Sequence, residues 1–217
     1  MKGLFLDNFY KTFNSAKLFM FVILAAGIVL LITGNAATIL QLFVYISITA
    51  LSAIAVSGMR KDSEAKWDKY EITLPVTRKD IIKCKYLSYL FWVSIGVIIS
   101  VVFTFVAYLI HGNIFFAFGL RDVLSLFALG IGIAVIVGSL FFPMAYVFGV
   151  NKSEALLVIS VIAGVGLAAY LIWLLNTIFD AEVTNYYLIL GVFVLTYCFM
   201  FVVSYLVTLK IYGKKNF

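Results

Sequence analysis

The stretch of sequence that decides the fold is VLSLFALGIGIAVIVGSLFFPMAYVF, residues 123–148. It contains no Asp, Glu, Lys, Arg or His, and its apolar and polar positions do not alternate. About 20 predominantly apolar residues allow an α-helix to cross a bilayer, whereas a membrane barrel strand has about ten residues that alternate. The stretch therefore predicts a transmembrane helix.

Further runs of the same kind lie on both sides of it. The predicted spans cover residues 18–33, 36–58, 86–110, 123–148, 155–175 and 186–209. The chain is 65% hydrophobic and 12% charged, whereas an ordinary soluble domain is roughly 25% charged. We therefore predict an all-α polytopic membrane protein with six transmembrane helices, in which residues 18–217 form one transmembrane domain.

Lysine and arginine are distributed unequally between the two sides of these predicted helices. If both termini are cytoplasmic, every Lys and Arg except Arg121 falls on the inner side. Because positively charged loops stay in the cytoplasm, we predict this orientation in the plasma membrane. This topology accounts for the net charge of +6 without a nucleic-acid partner.

The first 17 residues place apolar and aromatic side chains among Lys2, Lys11 and Lys17. This pattern predicts an amphipathic helix over residues 1–17, lying on an anionic leaflet of the bilayer. A disordered basic tail is the alternative.

The predicted cytoplasmic loop, residues 59–85, reads MRKDSEAKWDKYEITLPVTRKDIIKCK. It predicts a short helix from Ser63, as its N-cap, to Leu74, and Pro75 ends that helix. One face carries acidic side chains and another carries apolar and aromatic ones: Glu64, Asp68 and Glu71 on the first, and Trp67, Tyr70 and Leu74 on the second. Thr77 and Asp80 form a capping-box pattern that starts the next helix. Such a short helix suits a cleft on another protein; a solvated loop with its aromatics on lipid is the alternative.

The run EITLPVTRKDI, Glu71 to Ile81, followed by Lys85-Tyr86-Leu87, resembles the signature loop of the ABC type 2 exporter permeases. The small six-span members are most similar, including permease subunits of phenol-soluble modulin exporters and related antimicrobial-peptide transporters. The resemblance implies a dimer, with a second copy or a related permease, and a separate ATPase docked beneath each half. The short helix would be the coupling helix that enters the ATPase. The docking residues implied are Glu64, Trp67, Asp68, Tyr70, Glu71, Pro75 and Arg78.

The chain lacks the sequence patterns of a catalytic or metal site. No stretch matches the phosphate-binding loop GxxxxGK[ST], so ATP and Mg²⁺ are expected on the partner ATPase and no cofactor in this chain. The predicted spans contain no ionisable Asp, Glu, Lys, Arg or His. Because ion-coupled carriers usually place such groups in the membrane, this argues against a secondary transporter or channel. An uncharged bundle favours a hydrophobic or amphipathic cargo, such as hydrophobic peptides, lipids or drugs, over a sugar, an ion or a nucleotide.

Weakly polar side chains form stripes on two predicted spans. The stripes are Gln41, Tyr45, Thr49 and Ser52 on the second span, and Ser100, Thr104 and Tyr108 on the third. They either line a pathway for cargo or form hydrogen bonds between helices. On the fourth span, Gly130, Ala134 and Gly138 predict a seam of close helix contact.

Two functions from different classes follow from these patterns. The first is the permease subunit of an ATP-driven exporter of amphipathic or hydrophobic peptides. The second is a membrane interaction or immunity protein that binds a cytoplasmic regulator and transports nothing.

Overall fold

The structure is a computed structural model that describes residues 2–33, 37–64, 67, 77–112, 119–179 and 186–214. Within these ranges the chain folds almost entirely into α-helices. The helices are α1 (Lys2–Thr33), α2 (Ala37–Glu64), α3 (Arg78–His111), α4 (Leu120–Phe148), α5 (Ser153–Ile178) and α6 (Tyr186–Lys214), with a 3₁₀ turn at Val150–Lys152.

The predicted all-α, polytopic architecture is confirmed. Among the described residues, five helices, α2 to α6, are long and apolar enough to cross a membrane. Helix α1 would be a sixth span if its two segments, Leu6–Phe13 and Ala16–Ile32, count as one; they meet at an angle of 54°. The bend lies close to the boundary that the sequence predicts between the interfacial helix and the first span.

Two helices extend beyond their predicted spans into the charged loop. Helix α2 continues through Ser63 to Glu64, so the predicted N-cap at Ser63 is wrong, and Ser63 lies in the last turn of α2. No proline lies between Ala37 and Glu64, and the helical hydrogen bonds therefore continue past the apolar run. Helix α3 has 34 residues, which corresponds to a length of about 51 Å against a hydrocarbon core of about 30 Å.

Contacts between helix termini define two ends of the bundle. At the basic end, the Arg78 guanidinium donates to the carbonyl of Gly213, and Lys11 lies over the ring of Trp67. At the opposite end, which we call the Arg121 end, the Tyr186 hydroxyl donates to the carbonyl of Arg121. The helices therefore alternate in direction, and the start of α3 lies beside the end of α6.

Helices α2 and α4 form the centre of the bundle, and small residues allow the close contacts. A Cβ atom on Gly130 would lie 2.9 Å from the Ile48 side chain, and one on Gly138 would lie 2.5 Å from the Tyr89 ring. Ala134 between them is fully buried. The predicted seam on the fourth span is thus confirmed, and it contacts both α2 and α3.

Candidate coupling site and intramembrane polar chain

The structure describes only part of the predicted docking loop. Asp68, Tyr70, Glu71 and Pro75 lie outside the described residues, and of Glu64 only the backbone at the end of α2 is described. Trp67 is half-buried, with the Lys11 ammonium 4.2 Å from its ring centroid. A cation over an aromatic face is attractive, so this contact holds the amino-terminal helix against the loop.

Helix α3 begins with the predicted capping box. The Asp80 amide donates to the Thr77 hydroxyl oxygen at 3.2 Å, and the Thr77 amide donates to the Asp80 carboxylate at 3.3 Å. The Thr77 hydroxyl also donates to that carboxylate at 2.7 Å. Hydrogen bonds from the side chain and backbone of Thr77 lower the pKa of Asp80. The charged loop therefore enters α3 through a fixed first turn.

Arg78, predicted to dock the ATPase, contacts the opposite end of the sequence. Its Nη1 donates to the Gly213 carbonyl at 3.1 Å, at the last turn of α6. A cation there also faces the negative end of the α6 dipole. The first turn of α3 is thus tied to the last turn of α6.

A second tie between these helices lies deeper, at Tyr86. The Tyr86 hydroxyl is 2.9 Å from both Ser204 Oγ and Thr208 Oγ1 on α6. Ser204 Oγ in turn donates to the carbonyl of Ser139 on α4 at 2.7 Å. Tyr86, Ser204, Thr208 and the Ser139 carbonyl form what we call the polar chain, and it joins three helices.

The direction of the polar chain follows from counting hydrogens. A hydroxyl has one hydrogen to donate, and a carbonyl can only accept. Because Ser204 gives its hydrogen to Ser139, Tyr86 must donate to Ser204, and Thr208 must donate to Tyr86. Every donor and the terminal carbonyl are therefore satisfied without water.

Pro143 explains why the Ser139 carbonyl is available. Pro143 lies inside α4, and in a regular helix the amide of residue 143 would donate to the carbonyl of residue 139. Proline has no amide hydrogen, so it leaves that carbonyl without its helical partner. In a membrane an unsatisfied carbonyl is costly, and a hydroxyl from a neighbouring helix can replace the missing donor. Ser204 supplies that hydroxyl.

Sequence reasoning missed the polar chain. Ser204 and Thr208 are four residues apart on α6, so they share one face, and this spacing was a usable signal. The position of Pro143 four residues after Ser139 was another. Neither signal identifies Tyr86 as the partner.

The structure separates the two predicted pathway stripes. On α2, Thr49 donates to the Tyr45 carbonyl of its own helix, whereas the Ser52 hydroxyl lies 2.8 Å from the Thr49 carbonyl and also within hydrogen-bond range of Tyr89 on α3. Gln41 is exposed. These hydrogen bonds favour the packing alternative for that stripe.

The α3 stripe contributes to a groove between α3 and α4 at the Arg121 end. Thr104 and Tyr108 line it with Phe105 and Phe127, and the cavity has a volume of about 400 Å³. Ser100 and Thr104 are buried, and their hydroxyls have no hydrogen-bond partner in the part of the chain that is described. The structure therefore brings Thr104 and Tyr108 to one cavity.

A family model described as "ABC-2 family transporter protein" matches residues 3–213, which is nearly the whole chain. No match was found among curated proteins or among solved structures.

Proposed function

The chain belongs to the ABC-2 transporter family, and on that premise we propose that it is the six-span permease subunit of an ATP-driven exporter. In this proposal α1 supplies the first span after its bend, and both termini are cytoplasmic. The basic end then faces the cytoplasm, in agreement with the positive-inside rule.

The observation that carries the proposal is the way the charged loop joins the bundle. The loop enters α3 through the capping box at Thr77, and α3 is tied to α6 at Arg78 and again at Tyr86. A displacement of the loop therefore moves the basic ends of α3 and α6 together. Rigid movement of packed helices is a common way to convert a local change into a change of conformation.

The partner in this proposal is a cytoplasmic ABC ATPase, which the family implies. ATP and Mg²⁺ bind there, and the permease contributes the coupling helix between α2 and α3. The permease works as a dimer with a second copy or a related permease. Closure of the ATPases on ATP would displace the loop and switch the permease between inward-open and outward-open states.

The proposed cargo is an amphipathic peptide, as in the phenol-soluble modulin exporters that the loop resembles. The groove at Thr104 and Tyr108 supports this class, because its lining is mainly apolar and the Thr104 hydroxyl is itself buried. A peptide with an apolar face fits such a surface better than an ion or a sugar, which require dense polar ligation.

Co-purification tests the coupling site. The double variant Trp67→Ala, Glu71→Ala is expected to lose the ATPase that co-purifies with the wild-type permease. Trp173→Ala is the matched control, because Trp173 is an exposed tryptophan on α5, in the half of that helix toward the Arg121 end. Full retention of the ATPase by the double variant, at wild-type expression, would refute the docking assignment.

Stimulation of ATP hydrolysis tests the cargo separately. In proteoliposomes containing both subunits, an amphipathic helical peptide should raise the ATPase rate, and a scrambled peptide of equal composition should not. Equal rates with both peptides would reject the peptide cargo while leaving the permease assignment intact.

A further inference from the structure

A second cavity lies between α4, α5 and α6 at the Arg121 end. Its volume is about 260 Å³. Its polar lining comes from Arg121, Ser125, Asn176 and Tyr186, and its apolar lining includes Leu129, Ile172, Leu190 and Phe193. The cavity therefore has a polar part and an apolar part, which is the division found in an amphiphile.

Arg121 is held in a fixed position in this cavity. The Tyr186 hydroxyl donates to the Arg121 carbonyl at 2.7 Å, and the Arg121 guanidinium carbon lies 4.1 Å from the Tyr186 ring centroid. This stacking uses the face of the guanidinium and leaves its N–H edges available. No ion pair to Arg121 is present among the described residues.

Arg121 has no basic neighbours in the sequence, and Asp122 follows it directly. Arg121 is the only Lys or Arg between Lys85 and Lys152. A half-buried guanidinium whose N–H edges donate to no described residue favours an anion that accepts two hydrogen bonds, such as a phosphate or a carboxylate. Ser125 already donates to the Asp122 carbonyl, and the Asn176 amide supplies a further neutral donor at the same wall.

The level of the cavity in the membrane indicates the source of the anion. Tyr170, Trp173 and Tyr187 are exposed on α5 and α6, and Trp173 lies one turn from Asn176. Exposed tyrosine and tryptophan mark the interface of a membrane, at the level of the lipid headgroups. Arg121 and Tyr186, at the starts of their helices, are thus placed for a lipid phosphate.

We propose that this cavity binds an anionic phospholipid, with the phosphate on Arg121 and Asn176 and the first part of one acyl chain along Leu190 and Phe193. The proposed topology, with both termini cytoplasmic, places this cavity at the outer leaflet. The binding itself depends on neither the ATPase nor the cargo, so it can fail or succeed independently of the proposed function.

Native mass spectrometry of the full-length protein in a neutral detergent tests the site, with phosphatidylglycerol and phosphatidylcholine as probes. Both lipids carry the phosphate, but the choline cation of phosphatidylcholine is repelled by the Arg121 guanidinium, so the wild type should prefer phosphatidylglycerol about tenfold. Arg121→Gln should remove this preference. Lys152→Gln is the matched control, since it removes an exposed cation at the basic end, and it should leave the preference unchanged.

Two further variants test the same site if Arg121→Gln does not fold. Arg121→Lys keeps the charge but loses the flat, two-pronged donor, so the preference should fall only partly. Leu190→Trp fills the apolar part without changing charge and should weaken binding of both lipids. Three results would each overturn the proposal. The first is an unchanged lipid preference in Arg121→Gln or Arg121→Lys, and the second is unchanged lipid binding in Leu190→Trp. The third is displacement of the lipid by millimolar inorganic phosphate.

Discussion

Replacing Ser204 with alanine tests the reasoning about the polar chain most directly. The change removes two hydrogen bonds, one from Tyr86 and one to the Ser139 carbonyl. Hydrogen bonds between transmembrane helices are worth about 0.6 kcal/mol on average and up to about 1.7 kcal/mol. We therefore expect Ser204→Ala to lower the free energy of unfolding by about 1 to 2 kcal/mol.

The role of Pro143 makes a stronger prediction about the double variant. Pro143→Ala restores an amide that can donate to the Ser139 carbonyl within α4. In that background Ser204→Ala costs only the bond to Tyr86, so its effect should shrink by about 0.6 kcal/mol or more. The two changes should thus be coupled, although they lie on different helices.

The assay is equilibrium unfolding in mixed micelles, applied to the two single variants and the double variant. Ser160→Ala is the matched control, because Ser160 is also buried but bonds only to the Leu156 carbonyl of its own helix. Its effect should be the same with and without Pro143. Additive effects of Ser204→Ala and Pro143→Ala, within about 0.3 kcal/mol, would refute the assignment of Ser204 as the replacement donor.

Two further predictions concern packing and the start of α3. Gly96→Ala places a Cβ 2.9 Å from the Ile48 Cα and should lower the free energy of unfolding by about 1 to 3 kcal/mol. Gly166→Ala is the control, because its Cβ meets nothing within 4 Å. Equal thermal stability of the two variants would contradict the close contact of α2 and α3. Thr77 lowers the pKa of Asp80 from its ordinary value of 3.8. The ionised carboxylate therefore stabilises the first turn of α3 fully above about pH 3.8, and this stabilisation is lost as the pH falls through the lowered pKa. Amide protection of that turn should therefore decrease in acid for the wild type and stay low throughout for Asp80→Asn; an acid-induced decrease in both would contradict the capping role.

The predictions that the structure confirmed rest on local sequence. A membrane span must satisfy its own backbone hydrogen bonds, so a long apolar run without charges is sufficient evidence for a helix. The capping box from Thr77 to Asp80 spans only four residues, and the Gly130 seam is a repeat within one helix. The wrong N-cap at Ser63 shows the limit of local signals, because a polar residue near the end of a span can equally continue the helix.

The sequence by itself determined that this chain is a polytopic helical membrane protein, that its basic residues other than Arg121 belong to one end of the bundle, and where α3 begins. Only the tertiary structure decided which helices touch and which polar groups satisfy each other. Pro143 reveals from sequence that a carbonyl is left free, but its partner, Ser204, is 65 residues from Ser139, and Tyr86 is 118 residues from Ser204. Such pairs depend on how three helices pack, because a hydroxyl in the membrane bonds to whichever acceptor the packing brings within reach.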